Sequence, residues 1–177
     1  MAFSEPKHVI QESGLSEGAL VGDFGAGSGH YSIAAGKVVG AQGRVYAIDI
    51  QKELLSRLKR DASAAGVRNI EILAGDIEVE GGSHLRSGML NLVIMANVLF
   101  QAEHRSAVLA EAKRVLRPGG RVLFVDWKDS FSGIGPQKSD VIPEALSREL
   151  FERAGFIFER SLKNPGEHHY GFIMKLP

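Results

Sequence analysis

Short apolar runs and helical periodicities take turns along the whole chain. Residues 19–24 (A-L-V-G-D-F) form a strand-length run that passes straight into glycines, and residues 44–50 (R-V-Y-A-I-D-I), 69–74 and 90–96 (L-N-L-V-I-M-A) have the same character. The last of these is apolar almost throughout, as a strand buried on both faces of a sheet must be. Between the runs, apolar side chains fall at three- and four-residue spacing, the period of a helix packed on one face. Tyr31, Ile33, Ala34, Ala35 and Val38 predict a helix over 28–39, and Leu54, Leu55, Leu58 and Ala62 one over 52–65. Gly40 and Gly66 close these two, as glycine does where a helix ends. Val108, Leu109, Ala112, Val115 and Leu116 predict a helix over 102–116, which R-P-G-G at 117–120 breaks before a strand over 121–126. A short amphipathic helix over 6–13 stops at Gly14. Pro143 starts another that carries Leu146, Leu150, Phe151 and Ala154 up to Gly155, and strands over 156–160 and 169–174 finish the chain.

Strands separated by helices imply right-handed crossovers and a parallel sheet covered on both faces. Only residues 161–168 separate the last two strands, too few for a helical crossover, so the last strand runs antiparallel as a hairpin partner at the end of the sheet. The expectation is one domain over 1–177 whose first 18 residues are an N-terminal helical segment. Its fold is a Rossmann-like, doubly wound α/β arrangement of three layers (α/β/α) around a mostly parallel seven-stranded sheet with an antiparallel last strand.

Composition narrows the function classes. Hydrophobic residues make up 44% and charged residues 24% of the 177, which is ordinary for a globular domain. The 21 basic and 21 acidic residues cancel, which argues against a broad electrostatic footprint for nucleic acid or anionic lipid. There is no cysteine, hence no thiol nucleophile, disulfide or thiolate metal ligand, and no metal is expected. The opening M-A-F-S-E-P-K-H-V-I lacks a basic region followed by an apolar one. The longest strongly apolar stretch, 90–100, falls far short of the ~20 residues of a spanning helix. A soluble, cytoplasmic protein without a membrane partner is the expectation.

Candidate chemistry begins at D-F-G-A-G-S-G, residues 23–29, between the first strand and its helix, where a doubly wound fold binds its ligand. Glycines let the chain turn sharply and let a ligand lie against bare main chain. The helix that follows offers unpaired N–H groups to an anionic group. Asp49 ends the second strand 20 residues after Gly29, where a carboxylate accepts both hydroxyl protons of a ribose. A dinucleotide site has G-x-G-x-x-G; counted from Gly25, its third glycine position is His30, so the pattern here is G-x-G-x-G and an NAD-binding Rossmann protein is the weaker alternative.

With these residues in register the chain resembles the class I S-adenosylmethionine-dependent methyltransferases, in their small methyltransferase-domain branch. The family's acid plus G-x-G-x-G is Asp23, Gly25, Gly27 and Gly29. Its acid ending the next strand is Asp49, and its acid after the third strand is Asp76 in A-G-D-I. Its fourth and sixth motifs are L-V-I-M-A-N-V-L and L-R-P-G-G-R-V-L. Asn91 departs from the acid often found there, a change that touches strand entry rather than cofactor. The resemblance implies S-adenosyl-L-methionine as cofactor. Asp23 attracts its ammonium, and Gly25, Ala26, Gly27 and Ser28 with the helix N-terminus receive its carboxylate. Asp49 takes the ribose, Ile50 lies on the adenine face, Asp76 and the Ile77 backbone meet the adenine edge, and Asn97 lies below the sulfonium.

The acceptor is less legible, because an activated donor needs positioning more than dedicated groups. A-N-V-L-F after the fourth strand is unlike the N-P-P-Y turn expected for a flipped adenine or a glutamine amide. Cytosine C5 and thiol-based arsenite methylation both need cysteine, and structured RNA calls for a basic extension that is missing. A small-molecule acceptor is expected, possession of a homo-oligomeric state is open, and a methyltransferase-like subunit serving a partner protein is the alternative of another class. The resemblance implies that residues 127–141 help to cover the substrate. The hairpin brings His168, His169 and Tyr170 to Asp126 and Trp127 on the substrate side. Alternation lets one of the two histidines face the site. His169, in the His-Tyr-Gly often present in the family, is the expected catalytic residue, titrating near neutrality.

Overall fold

The structure is a computed structural model that describes residues 5–131 and 135–177. Its elements in chain order are α1 (Pro6–Glu12), β1 (Leu20–Phe24), α2 (His30–Val39), β2 (Arg44–Asp49), α3 (Lys52–Ala64), β3 (Ile70–Ala74), β4 (Leu90–Ala96), α4 (Arg105–Val115), β5 (Leu116–Trp127), α5 (Glu144–Arg153), β6 (Ile157–Ser161) and β7 (His169–Lys175). The sheet has seven strands in the order β3-β2-β1-β4-β5-β7-β6. The first five named run parallel, and β7 runs antiparallel to both β5 and β6.

The antiparallel last strand is therefore not outermost: β7 lies between β5 and β6. Burial explains the placement. Every residue of β7 except Lys175 is buried, whereas β6 alternates exposed and half-buried positions as an edge strand does. A second difference concerns R-P-G-G. Instead of separating helix from strand, residues 117–120 belong to β5 and bulge out of it, since Leu90 pairs with Leu116 but Leu92 with Arg121. The bulge is held from the far side, where the Gly119 N–H donates to the Leu176 carbonyl (3.0 Å) and the Leu176 N–H to that of Gly120 (2.8 Å). Asn91, opposite the bulge, accepts the Leu20 N–H at 2.9 Å on Oδ1 and so ties the entry of β4 to that of β1. Finally, α2 begins at His30 rather than Ser28 because Gly29 is left-handed, φ 82°.

Helices cover both faces. Val9 and Ile10 of α1 and Ala35 and Val39 of α2 pack with Val21, Val45, Ile94, Leu123 and Ile173 of the sheet, and Leu58 and Ala62 of α3 pack with Ala47. On the other face Val108, Leu109 and Ala112 of α4 and Phe151 of α5 meet Phe24, Met95, Phe124 and Phe172. Phe151 is fully buried with its edge to Phe124 (5.2 Å between centroids) and Phe172 (5.7 Å). Truncating such a ring costs about 3–5 kcal/mol. These two cores fix the carboxyl ends of the strands, where the candidate residues gather. Among the described residues, no helix is long and apolar enough to cross a membrane.

Candidate active site

A cleft of about 810 Å³ opens at the carboxyl ends of β1, β2, β3 and β4. Gly25 and Gly27 reach it from β1, Asp49, Ile50 and Gln51 from β2, and Gly75, Asp76, Ile77, Glu78 and Val79 from β3. The segment after β4 supplies Val98, Gln101, Ala102, Glu103 and His104, with Ile48 and Leu54 completing the lining.

The glycine turn is specific residue by residue. Gly25, Gly27 and Gly29 all have left-handed φ, 69°, 53° and 82°, which side chains other than hydrogen adopt at a cost. A Cβ on Gly25 would lie 2.9 Å from Val98 Cγ2, and one on Gly29 2.2 Å from Leu58 Cγ, so both are also packing positions. A Cβ on Gly27 would meet nothing nearer than the Gly25 carbonyl oxygen at 4.0 Å. Its free side belongs to the cleft. The turn is pinned to β2, with the N–H groups of Gly25 and Ala26 each donating to the Ile48 carbonyl at 2.9 Å. The Gly27 N–H donates to Asp49 Oδ2 at 2.8 Å, and Asp49 Oδ1 accepts the Gln51 N–H at 2.8 Å.

Ile50 is 67% exposed and Val79 55%, large apolar side chains left uncovered in the same cleft. Asp76 Oδ1 accepts the Glu78 N–H at 2.9 Å, which shapes the turn after β3. Glu78 in turn accepts the His104 N–H at 2.6 Å and joins the two walls. Gln51, Glu78, Val79, Gln101 and His104 line the cleft although none stands in a motif.

Four of the expected cofactor residues lie behind the lining rather than in it. Asp23 is buried and accepts the Ser32 hydroxyl at 2.6 Å. Burial pushes its carboxyl up to about 7, partly offset by the Ser32 hydrogen bonds and reinforced by the charge of Asp49. Ala26 serves through its main chain, its carbonyl accepting the Gly29 N–H at 2.9 Å, and Ser28 is half-buried in the same turn. Asn97 is a non-glycine residue at left-handed φ, 59°. Its N–H donates to Val125 (2.8 Å) and its carbonyl accepts Gln101 Nε2 (2.9 Å), while its Oδ1 is buried without a partner. A strained residue holding an unsatisfied acceptor next to Val98 fits a ligand group from the cleft.

On the substrate side the structure corrects the expectation twice. Asp126 is fully buried, and its carboxylate faces inward, accepting the N–H groups of Phe100 (3.2 Å) and Trp127 (2.9 Å). Burial pushes it up to about 6 against those bonds. It holds the turn after β4 instead of facing a substrate. His169 does pair with Trp127 across β5 and β7, with the rings 4.3 Å apart. It is only 4% exposed, and both ring nitrogens are buried without partners. Burial, with His168 beside it, lowers its pKa to about 4, so it does not titrate near neutrality. Within the 127–141 stretch, residues 132–134 lie outside the described residues.

The loop between β3 and β4 is clamped by Glu111 of α4, a residue with no motif to announce it. Glu111 is buried and accepts the N–H groups of Gly81 (2.9 Å) and Ser83 (3.2 Å), the Ser83 hydroxyl, and Arg114 Nη2 at 2.7 Å. Burial alone would raise its pKa; the hydrogen bonds from Arg114, Ser83 and Gly81 outweigh it and hold the carboxyl at about 2.

Comparison with known proteins agrees with this geometry. Residues 15–155 match the family described as a methyltransferase domain. Aklanonic acid methyltransferase DauC of a Streptomyces species is 30% identical over 150 residues, 83% of this chain and 67% of that protein. The arsenite methyltransferase of Halobacterium salinarum is 31% identical over 112 residues, 63% of this chain but only 28% of that protein's length. A solved methyltransferase of Aquifex aeolicus, described as dependent on S-adenosylmethionine, has a TM-score of 0.88 at 28% identity and covers 99% of this chain and 91% of its own. With its family match, glycine turn and strand-end carboxylates in one cleft, the chain belongs to the methyltransferase domain family, in its class I, S-adenosylmethionine-dependent form.

Proposed function

We propose that the cleft binds S-adenosylmethionine and that the chain transfers its methyl group to a small-molecule acceptor. The observation that carries this reading is the meeting of Gly27's open side with Asp49 and the uncovered Ile50 in one cleft. A carboxylate offers about four lone-pair sites. Asp49 gives one on each oxygen to the backbone, which leaves a pair directed at a ribose diol. Ile50 supplies an apolar face for the adenine, and Asp76, with one oxygen given to Glu78, keeps the other for the exocyclic amine beside the Ile77 backbone. Gly25, Ala26, Gly27 and Ser28 face the amino-acid end, Asp23 attracts its ammonium through the turn, and Asn97 Oδ1 lies on the sulfonium side.

The bound cofactor supplies a methyl group already activated on sulfur. The chain's part is to hold the acceptor in line with it and to keep water out. A small-molecule acceptor is supported by the names of relatives such as DauC. Arsenite chemistry through protein thiols does not transfer, because this chain has no cysteine. A cytoplasmic setting belongs to the same proposal. Incubation with methyl-labelled S-adenosylmethionine and a metabolite extract tests the reading. Label in a small molecule is the expected result; tight cofactor binding with no label transferred would favour a subunit that acts through a partner protein.

A further inference from the structure

His169 is shut away, yet its neighbour is not. His168 Nδ1 lies 2.7 Å from Asp129 Oδ1, and the side chains keep 16% and 44% of their exposure. Its ring stacks on Phe131, with centroids 4.1 Å apart and planes within 28°. This leaves an imidazole held on one side by a carboxylate and on its face by an aromatic ring. A carboxylate on Nδ1 selects the tautomer with the proton there, so the lone pair sits on Nε2. Among the described residues Nε2 has no hydrogen-bond partner. The arrangement is that of an oriented general base whose working nitrogen is free.

The register places it at the right edge. The Asn97 N–H bonds to Val125 at the end of β5, Trp127 of β5 pairs with His169, and the Lys128 N–H donates to the His168 carbonyl at 3.0 Å. His168 is thus two strands across from Asn97 and two residues farther along the carboxyl edge, about 12 Å at the usual strand dimensions. An acceptor placed between them would meet Asn97's end of the cleft on one side and the imidazole on the other. Half-buried Phe131 stays beside the imidazole on this stretch of the edge, while Trp127 is buried against His169.

We infer that His168, oriented by Asp129, is the general base for methyl transfer to a phenolic hydroxyl on a planar ring. The inference rests on the methyltransferase reading above. In the step, the phenol oxygen forms a bond to the methyl carbon as the carbon–sulfur bond breaks and its electron pair returns to sulfur. The hydroxyl proton passes to His168 Nε2 and the sulfonium becomes a neutral thioether. Proton transfer favours a phenol, whose pKa of about 10 lies within reach of an imidazole, over an aliphatic alcohol. An amine acceptor with a free lone pair would not require the dyad.

Naphthols and dihydroxynaphthalenes serve as probes with the full chain and S-adenosylmethionine. The expected product is the methyl ether, identified by mass spectrometry. His168→Gln should lower kcat about 100-fold and Asp129→Asn about 10-fold, with cofactor affinity unchanged within about two-fold and the fold intact by circular dichroism. A second readout needs no turnover: with S-adenosylhomocysteine bound, a naphthol should shift the His168 Nε2 resonance in the ¹⁵N spectrum of histidine-labelled protein. The same kcat in His168→Gln, or no methylation of any naphthol by wild-type protein that binds the cofactor, overturns the inference and leaves the methyltransferase reading standing. Failure of the wild-type protein to bind the cofactor overturns both.

Discussion

The carboxylate of Asp49 holds the backbone N–H of Gly27 at 2.8 Å across 22 residues of chain. With the bonds from Gly25 and Ala26 to the Ile48 carbonyl, this hydrogen bond joins the glycine turn after β1 to the end of β2. Asp49 shapes the turn and, in the function proposed above, also faces the ribose of the cofactor. Asp49→Ala should weaken S-adenosylmethionine binding by about 2–3 kcal/mol, the scale of losing hydrogen bonds to a charged acceptor. That is about a 30- to 150-fold rise in Kd by calorimetry. An unchanged Kd would remove Asp49 from the ribose.

Gly27 and Gly29 should separate binding from folding. Gly27→Val places a side chain in open cleft at a left-handed residue; it should abolish cofactor binding and cost about 1–2 kcal/mol of stability from the backbone strain. Gly29→Val drives its Cβ against Leu58 and should destabilise the fold far more. Thermal melts with and without cofactor read both effects, and a Gly27→Val protein that still gains stability from the cofactor would contradict the role given to that turn.

In the proposed site, Asp23 should make cofactor affinity depend on pH. Its carboxyl, raised to about 7 by burial, is mostly protonated in the free protein below that pH. An ammonium nearby favours the ionised form, so binding releases a proton and weakens as pH falls. Affinity should rise from pH 5.5 to about 7, by up to ten-fold per unit, and level off above it. Asp23→Asn should flatten the profile, and titrations in buffers of different ionisation enthalpy should show the proton released by the wild-type protein.

Much of this site was legible in the sequence, and the illegible part has a common cause. Gly25, Gly27, Asp49 and Asp76 stand at strand ends whose positions follow from hydrophobic period, so their convergence follows from parallel topology alone. The bulge at 117–120 was hidden because R-P-G-G has the composition of a helix stop, and what keeps it in β5 is Leu176, far along the chain. Alternation along β7 established that His168 and His169 part company, but not which one the neighbouring elements bury. That depends on packing against Trp127 and on Asp129, which no local pattern records. Glu111 carries no local signal, since its partners Gly81 and Ser83 lie 30 and 28 residues away.

Removing Glu111 tests the clamp on the loop that carries Asp76. Glu111→Ala leaves Arg114 without its ion-pair partner and the buried Ser83 N–H unsatisfied, a loss of about 1–3 kcal/mol in denaturant unfolding. The carboxyl's pKa is lowered to about 2 in the folded protein from an ordinary value near 4.5. Its stabilisation is therefore complete above about 4.5 and lost as pH falls toward 2. Wild-type stability should drop through that window more steeply than that of Glu111→Gln, and parallel curves would show that the clamp carries no charge-dependent stability.

The proposed cleft at the carboxyl edge should take S-adenosylmethionine and not a dinucleotide. Isothermal titration of the purified chain with S-adenosylmethionine, S-adenosylhomocysteine and NADH, repeated with Gly27→Val, measures it most directly. Binding of the first two by the wild-type protein, lost in the folded variant, with NADH at least ten-fold weaker, is the expected result. NADH binding more tightly than S-adenosylmethionine, or equal binding of S-adenosylmethionine by a folded Gly27→Val protein, would contradict it.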